Sequence, residues 1–150
     1  MYPSLTKEEL HTIVAVDFLL FSNKSYAERV YSFERYLTTL PQATIEPTHE
    51  FIDGLCKREI VFEEGMLATG KVHATAHMDV MLEGEMIVAT EDGFKRLIAP
   101  CTMITKPGTK KAGIAIKRTR WISYHPTLAT TREELEAEVV FDERKELWLS

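Results

Sequence analysis

Apolar and polar positions repeat with two different periods along the chain, and the change of period divides it into three regions. From Thr6 to about Gln42 the period is helical: Leu10, Ile13, Val14, Phe18 and Phe21 recur three or four residues apart. Thr6 with Glu9 forms a capping box at the start of this run, Ser22-Asn23-Lys24-Ser25 breaks it, and Ser25 with Glu28 opens a second box. Val30, Phe33, Tyr36 and Leu37 then mark one apolar face, which Pro41 ends. From about Ala43 the period shortens to two. Ile45, Phe51 and Ile52, then Cys56, Arg58, Ile60 and Phe62, read as short strands. Turn residues recur at Gly54, Glu63-Glu64-Gly65, Glu83-Gly84, Glu91-Asp92-Gly93 and Lys106-Pro107-Gly108. Strands at intervals of roughly ten residues, without intervening long helices, point to a sandwich or barrel rather than a parallel α/β sheet. After Pro126 a helical pattern returns, with Thr131 and Glu134 as a third capping box and Leu135 on the apolar side, followed by the strand-like Val139-Val140-Phe141.

The expected fold class is therefore α+β, mainly β: an antiparallel barrel with N-terminal helices and a short C-terminal helix. It is expected as one domain over residues 1–150, with a helical arm at 1–44, the barrel at 45–126, and the last helix and tail at 127–150.

Composition narrows the function classes. The 150 residues are 45% hydrophobic and 27% charged, with a net charge of −5, which suits a globular protein and gives no general attraction to nucleic acid or anionic lipid. Lys106, Lys110, Lys111, Lys117, Arg118 and Arg120 cluster around one turn and strand, but Trp121 is the only nearby aromatic for base stacking. The longest apolar run, Ile13 to Phe21, is too short to span a bilayer and contains Asp17. The first residues lack a basic segment followed by an apolar one, and Cys56 and Cys101 form no disulfide framework. A cytoplasmic protein with reduced cysteines is expected, without a membrane or nucleic-acid partner. Phe18, Leu19, Leu20 and Phe21 in sequence suggest a homo-oligomer with that segment at its interface. No Gly-x-Ser-x-Gly elbow, P-loop or dinucleotide fingerprint occurs, and Met78, Met81, Met86 and Met103 read as core filler.

The stretch with chemical content is Gly65 to Gly84, GMLATGKVHATAHMDVMLEG. As one continuous strand it would set Lys71, His73, Thr75, His77 and Asp79 on one face and Val72, Ala74, Ala76, Met78 and Val80 on the other. The polar row would meet water on an open sheet and line the cavity of a barrel; period alone does not choose.

This stretch resembles the first motif of the cupin superfamily, in which a glycine is followed by His-x-His, a glutamate and a second glycine. Gly65 and Gly84 match the glycines, and His73 matches the second histidine. Lys71 stands at the first histidine and His77 at the glutamate. Lys106-Pro107-Gly108-Thr109-Lys110-Lys111 resembles the second motif, with Lys111 at its final histidine. The phrase from Gly93 through Ala99-Pro100 to Trp121 and His125 is also similar to small cupin-like proteins of bacteriophage, for which the location would be the host cytoplasm. The resemblance covers Gly65 to His125. It implies an inward-facing site at Lys71, His73, His77 and Lys111.

Metal-binding members of the superfamily hold an ion with about three histidines and a carboxylate. Two lysines in that set remove two ligands and repel a cation: at an effective dielectric near 20, one unit charge 5 Å from another costs about 3 kcal/mol, doubled for a divalent ion. The expectation is therefore no resident cofactor, and a small, anionic molecule as the barrel's ligand, bound, sequestered or modified. Two alternatives stand beside it. One is a non-catalytic structural or assembly module. The other is a metal-dependent enzyme using His73 and His77, completed by His125, Asp79 or Glu85.

Overall fold

The computed structural model describes Thr6 and residues 25–140. The first predicted helix, and with it the expected interface at Phe18–Phe21, lies outside the described residues, as does Phe141.

Ser25 caps helix α1 (Tyr26–Leu37): its side chain accepts from the Glu28 backbone, and the Glu28 carboxylate accepts from the Ser25 backbone. The buried face of α1 is Val30, Phe33 and Leu37, packed on Leu67, Ala112 and Ile114 of the sheet. Polar ties to the sheet and to the loop before β7 fix its position. The Tyr26 hydroxyl lies 2.8 Å from the Lys110 carbonyl oxygen, and Lys110 Nζ lies 2.7 Å from a Glu34 oxygen.

Seven strands follow: β1 (Thr48–Ile52), β2 (Leu55–Phe62), β3 (Leu67–Thr69), β4 (His77–Thr90), β5 (Gly93–Ile98), β6 (Cys101–Thr105) and β7 (Ala112–Pro126). All ladders are antiparallel, in the order β1-β2-β7-β4-β5, with β3 beside β7 and β6 beside β4. The mainly β, antiparallel class with flanking helices expected from the sequence is what the structure shows. The path does not close into a continuous ring, however; it is an open sheet folded over on itself.

The fold-over is made by β4 and β7, whose long mutual ladder slips register between Met81 and Met86. One half of this pair binds β2 and β6, the other β3 and β5. Gly84 sits at the slip with φ +100°, and a Cβ there would stand 2.3 Å from the Arg118 carbonyl oxygen. The sequence marks Glu83-Gly84 as a turn; it is instead a bulge within a strand, because positive φ serves both and only the partner strand distinguishes them. Thr119, fully buried, places its hydroxyl 3.2 Å from the Glu85 amide and so satisfies the displaced backbone. The slip also inverts alternation. Before it His77, Asp79 and Met81 face inward; after it Met86 and Val88 do, while Ile87 and Ala89 turn to α1.

The inward residues Ile60, Phe62, Met66, Ala68, Met81, Met86, Leu97 and Ala115 form the main core. Of the methionines expected in the core, Met78 faces outward, nearly half exposed. Helix α2 (Arg132–Val139) buries Leu135 and Val139 with Cys56 at one end of the fold. Cys56 and Cys101 are both free. No helix among the described residues is long and apolar enough to cross a membrane.

Candidate functional site

Between the folded-over halves lies a cavity of about 610 Å³, lined from β2, β4, β5, β6 and β7 and covered at one end by α2. Three histidines meet at that end. His77 opens β4, and the ladder pairs Met78 with Tyr124, so the same register continued one step sets His77 opposite His125; their ring centroids are 4.6 Å apart. His73 arrives differently. It lies between β3 and β4, just before a bend, held by a bridge to Val140 and by the Gly108 amide, which donates to the His73 carbonyl at 2.9 Å. The Ala74 amide donates to the Val139 carbonyl at 2.7 Å. The Lys106-Pro107-Gly108 turn and the end of α2 thus position His73 from both sides.

Because the chain bends at Ala74–Thr75, the single strand face drawn from period two does not extend across the whole segment. Val72 is buried and Lys71 exposed at the cavity mouth, where its charge is felt by Glu136 of α2. His73 and His77 converge through the bend rather than through alternation.

One ligand nitrogen of each of the three rings lies within 4.8 Å of the others. His73 Nδ1 and His77 Nδ1 are 3.3 Å apart, and His125 Nδ1 is buried with no hydrogen-bond partner among the described residues. Burial, then the neighbouring His77, push His73 down to about 4 and His125 down to about 3. Both rings are therefore neutral imidazoles near neutral pH, the form that binds metal.

Behind His77 stands Asp79, fully buried. Its Oδ1 accepts from Trp121 Nε1 at 3.0 Å and Ser123 Oγ at 2.5 Å. Its Oδ2 accepts from Thr105 Oγ1 at 2.5 Å and from Lys111 Nζ in a short ion pair. Burial works to raise the Asp79 pKa, but His77, Lys111 and Ser123 override it and hold the carboxyl well below the usual range. His77 Nε2 lies 3.4 Å from Asp79 Oδ2. A proton there, donated to Asp79, leaves the Nδ1 lone pair directed at His73, the carboxylate–histidine arrangement that orients metal ligands. Lys111 Nζ is also 3.3 Å from His77 Nε2, and burial lowers its pKa while Asp79 opposes the shift.

Lys111, His73 and His77 thus stand together and Lys71 stands apart from them. Glu85 is not part of the group: past the register slip it ion-pairs with Arg96, and its other oxygen is 3.4 Å from Lys117 Nζ. Asp79 belongs to the group, with both oxygens already engaged by donors. The basic cluster disperses, with Lys110 on Glu34, Lys117 on Glu85, Arg118 near Glu63 and Arg120 2.6 Å from Glu59. The roles of Thr105 and Ser123 escaped the sequence reading, although Trp121, Ser123 and His125 alternate along one strand and so share a face.

No protein-family model matches the chain, and no curated protein matches it. Solved structures do. A cupin superfamily protein from Desulfitobacterium hafniense DCB-2 is 14% identical, covering 60% of this chain and 86% of its own, with a TM-score of 0.48. An RmlC-like cupin from Shewanella frigidimarina is 23% identical over 63% of this chain and 89% of its own, with a TM-score of 0.46. The Clostridium difficile EutQ protein is 11% identical over 55% of this chain and 68% of its own, with a TM-score of 0.45.

Proposed function

We propose that this is a cupin-type protein that holds a divalent transition-metal ion on His73, His77 and His125 and takes a small anionic molecule into the cavity beside it. The observation that carries the metal reading is the meeting of three nitrogen ligands within 4.8 Å, one of them buried and unpartnered. Two Nδ1 lone pairs 3.3 Å apart repel unless a proton or a cation lies between them. The electrostatic objection raised by the two lysines is met in the fold: Lys71 is exposed at the mouth, and Lys111 is neutralised by Asp79. Three imidazoles are a common donor set for zinc and other first-row metals.

When bound, such an ion supplies a Lewis acid that polarises an oxygen of the ligand. The chain's own residues supply the rest. Asp79 fixes the His77 ring, Lys111 balances the Asp79 charge, and α2 shields the histidine end from water. The open cavity favours ligand binding over a purely structural or assembly role, for which side chains would fill it.

The test is metal content. Protein stripped with chelator and dialysed against zinc, cobalt, iron, manganese or nickel should retain close to one equivalent of at least one of them. Each of His73→Ala, His77→Ala and His125→Ala should abolish retention while leaving far-UV circular dichroism unchanged. Failure of every metal to bind, or retention that survives all three substitutions, refutes the reading.

A further inference from the structure

The inward face of the cavity wall carries a cation, Arg58, that the site described so far does not use. Arg58 lies on the inward face of β2 between Cys56 and Ile60, and its ladder partner on β7 is Ser123, between Trp121 and His125. Its guanidinium makes no hydrogen bond or ion pair with any described residue, although the side chains of Lys57 and Glu59 on either side of it are both paired. A guanidinium is planar, permanently charged and shaped to grip an oxyanion with two parallel hydrogen bonds. Its charge is felt at His73, Lys111 and His125 alike, so it stands over the histidine end of the cavity.

Two further features define the occupant. The cavity is lined by six cationic side chains, Arg58, Lys71, Lys95, Lys106, Lys111 and Arg132, against two carboxylates, Asp79 and Glu136, in a chain whose net charge is −5. Four of the six, Lys71, Lys95, Lys106 and Arg132, are exposed, and Lys111 is paired with Asp79, so Arg58 carries the inward charge that is left over. The rest of the lining beyond Arg58 is largely apolar, with Ile60 and Phe62 on the same face of β2 and Met86, Leu97 and Met103 from β4, β5 and β6. A volume of about 610 Å³ is within the range of small-molecule sites.

We infer that the ligand is an amphipathic carboxylic acid, its carboxylate gripped by Arg58 beside the three histidines and its hydrocarbon body laid on the Ile60–Leu97 wall. The inference rests on the cavity being a small-molecule site, and it names the ligand's class. Arg58 is the specificity-determining residue because the remaining inner cation, Lys111, is already neutralised by Asp79.

Phenylacetate is the probe, with phenylacetamide as its uncharged counterpart and phenylphosphonate as the phosphate-type arm. Binding to the full chain is followed by NMR titration, with and without added zinc. Phenylacetate is expected to bind at least tenfold more tightly than either analogue. Arg58→Gln should weaken it at least tenfold and Arg58→Lys less, while zinc stoichiometry and thermal midpoint stay at their wild-type values. The metal-free titration separates the two readings: if no metal binds yet Arg58→Gln still abolishes phenylacetate binding, the metal reading falls and the Arg58 assignment stands. Equal binding of phenylacetamide, unchanged affinity in Arg58→Gln, or no binding of phenylacetate would overturn it. A preference for phenylphosphonate would replace carboxylate by phosphate and overturn it too.

Discussion

Replacing Lys111 by methionine removes the lysine cation in contact with the fully buried Asp79 carboxylate while keeping the hydrocarbon stem. Removing one partner of a buried ion pair typically costs 3–5 kcal/mol, because the other charge is left uncompensated. Two features of this site reduce that figure. The Lys111 side chain is 33% exposed, so water reaches the gap, and Asp79 keeps Thr105, Ser123 and Trp121 as donors. A cost of about 2 kcal/mol follows, or roughly 4–8 °C in thermal midpoint for a chain of this size. Asp79→Asn loses the charge that all those donors share and turns an amide toward Lys111, for about 3 kcal/mol. Because each single substitution breaks the same contact, the double variant should be no worse than Asp79→Asn alone, giving a coupling of about 2 kcal/mol.

The assay is equilibrium urea unfolding in chelator, so that metal binding does not enter. Tryptophan fluorescence is a suitable probe, since the Trp121 indole donates to Asp79. A Lys111→Met variant within 0.5 kcal/mol of wild type, or strictly additive costs, would show that the pair does not hold this corner of the fold together.

Three further outcomes are expected. In metal-free protein His73 and His125 are held at about 4 and 3, below the unfolded value near 6.5. The folded state then binds fewer protons than the unfolded one, so stability is full above pH 6.5 and falls as pH drops toward 4. Allowing for coupling between the rings, the loss is about 2–3 kcal/mol by pH 4.5, and a His73→Phe/His125→Phe variant as acid-sensitive as wild type would contradict it. Gly84→Ala forces a Cβ against the Arg118 carbonyl oxygen at positive φ, and should cost more than about 3 kcal/mol or give insoluble protein; soluble protein within 1 kcal/mol of wild type by urea unfolding refutes the bulge argument. Leu135→Ala empties a buried contact beneath α2 and should cost about 2–4 kcal/mol, measured the same way, with a cost under 1 kcal/mol counting against α2 as a packed cover.

What was legible in the sequence is what local chemistry dictates. The Ser25–Glu28 box forms as read. Thr131 caps α2, although the Glu134 carboxylate reaches the Thr130 amide at 2.8 Å instead of the cap's own. The turns at Gly54, Gly65, Gly93 and Gly108 fall where glycine signals them, each at positive φ. Gly84 has the same local signature and a different outcome, because a bulge is defined by the facing strand.

The site divides along the same line. Alternation does put His77 and Asp79 on one face, since both lie in β4 before the slip. It cannot place His73, whose position depends on a bend and on contacts from Gly108 and Val139–Val140, more than thirty residues away. Nor does sequence separation bring His125 to His77 across 48 positions of chain; the β4–β7 register does. The lysines show the limit most clearly. In the sequence Lys71 and Lys111 are equivalent charges at two ligand positions of a motif, and together they argue against an ion. In the fold one is exposed at the mouth and the other, from the second motif, is neutralised by Asp79, a carboxylate of the first. Meanwhile Arg58, an ordinary polar residue in an alternating strand, is left as the inward cation with no described partner. Charge that decides function is charge left over after pairing, and pairing is a property of the register between strands rather than of the order of residues within them.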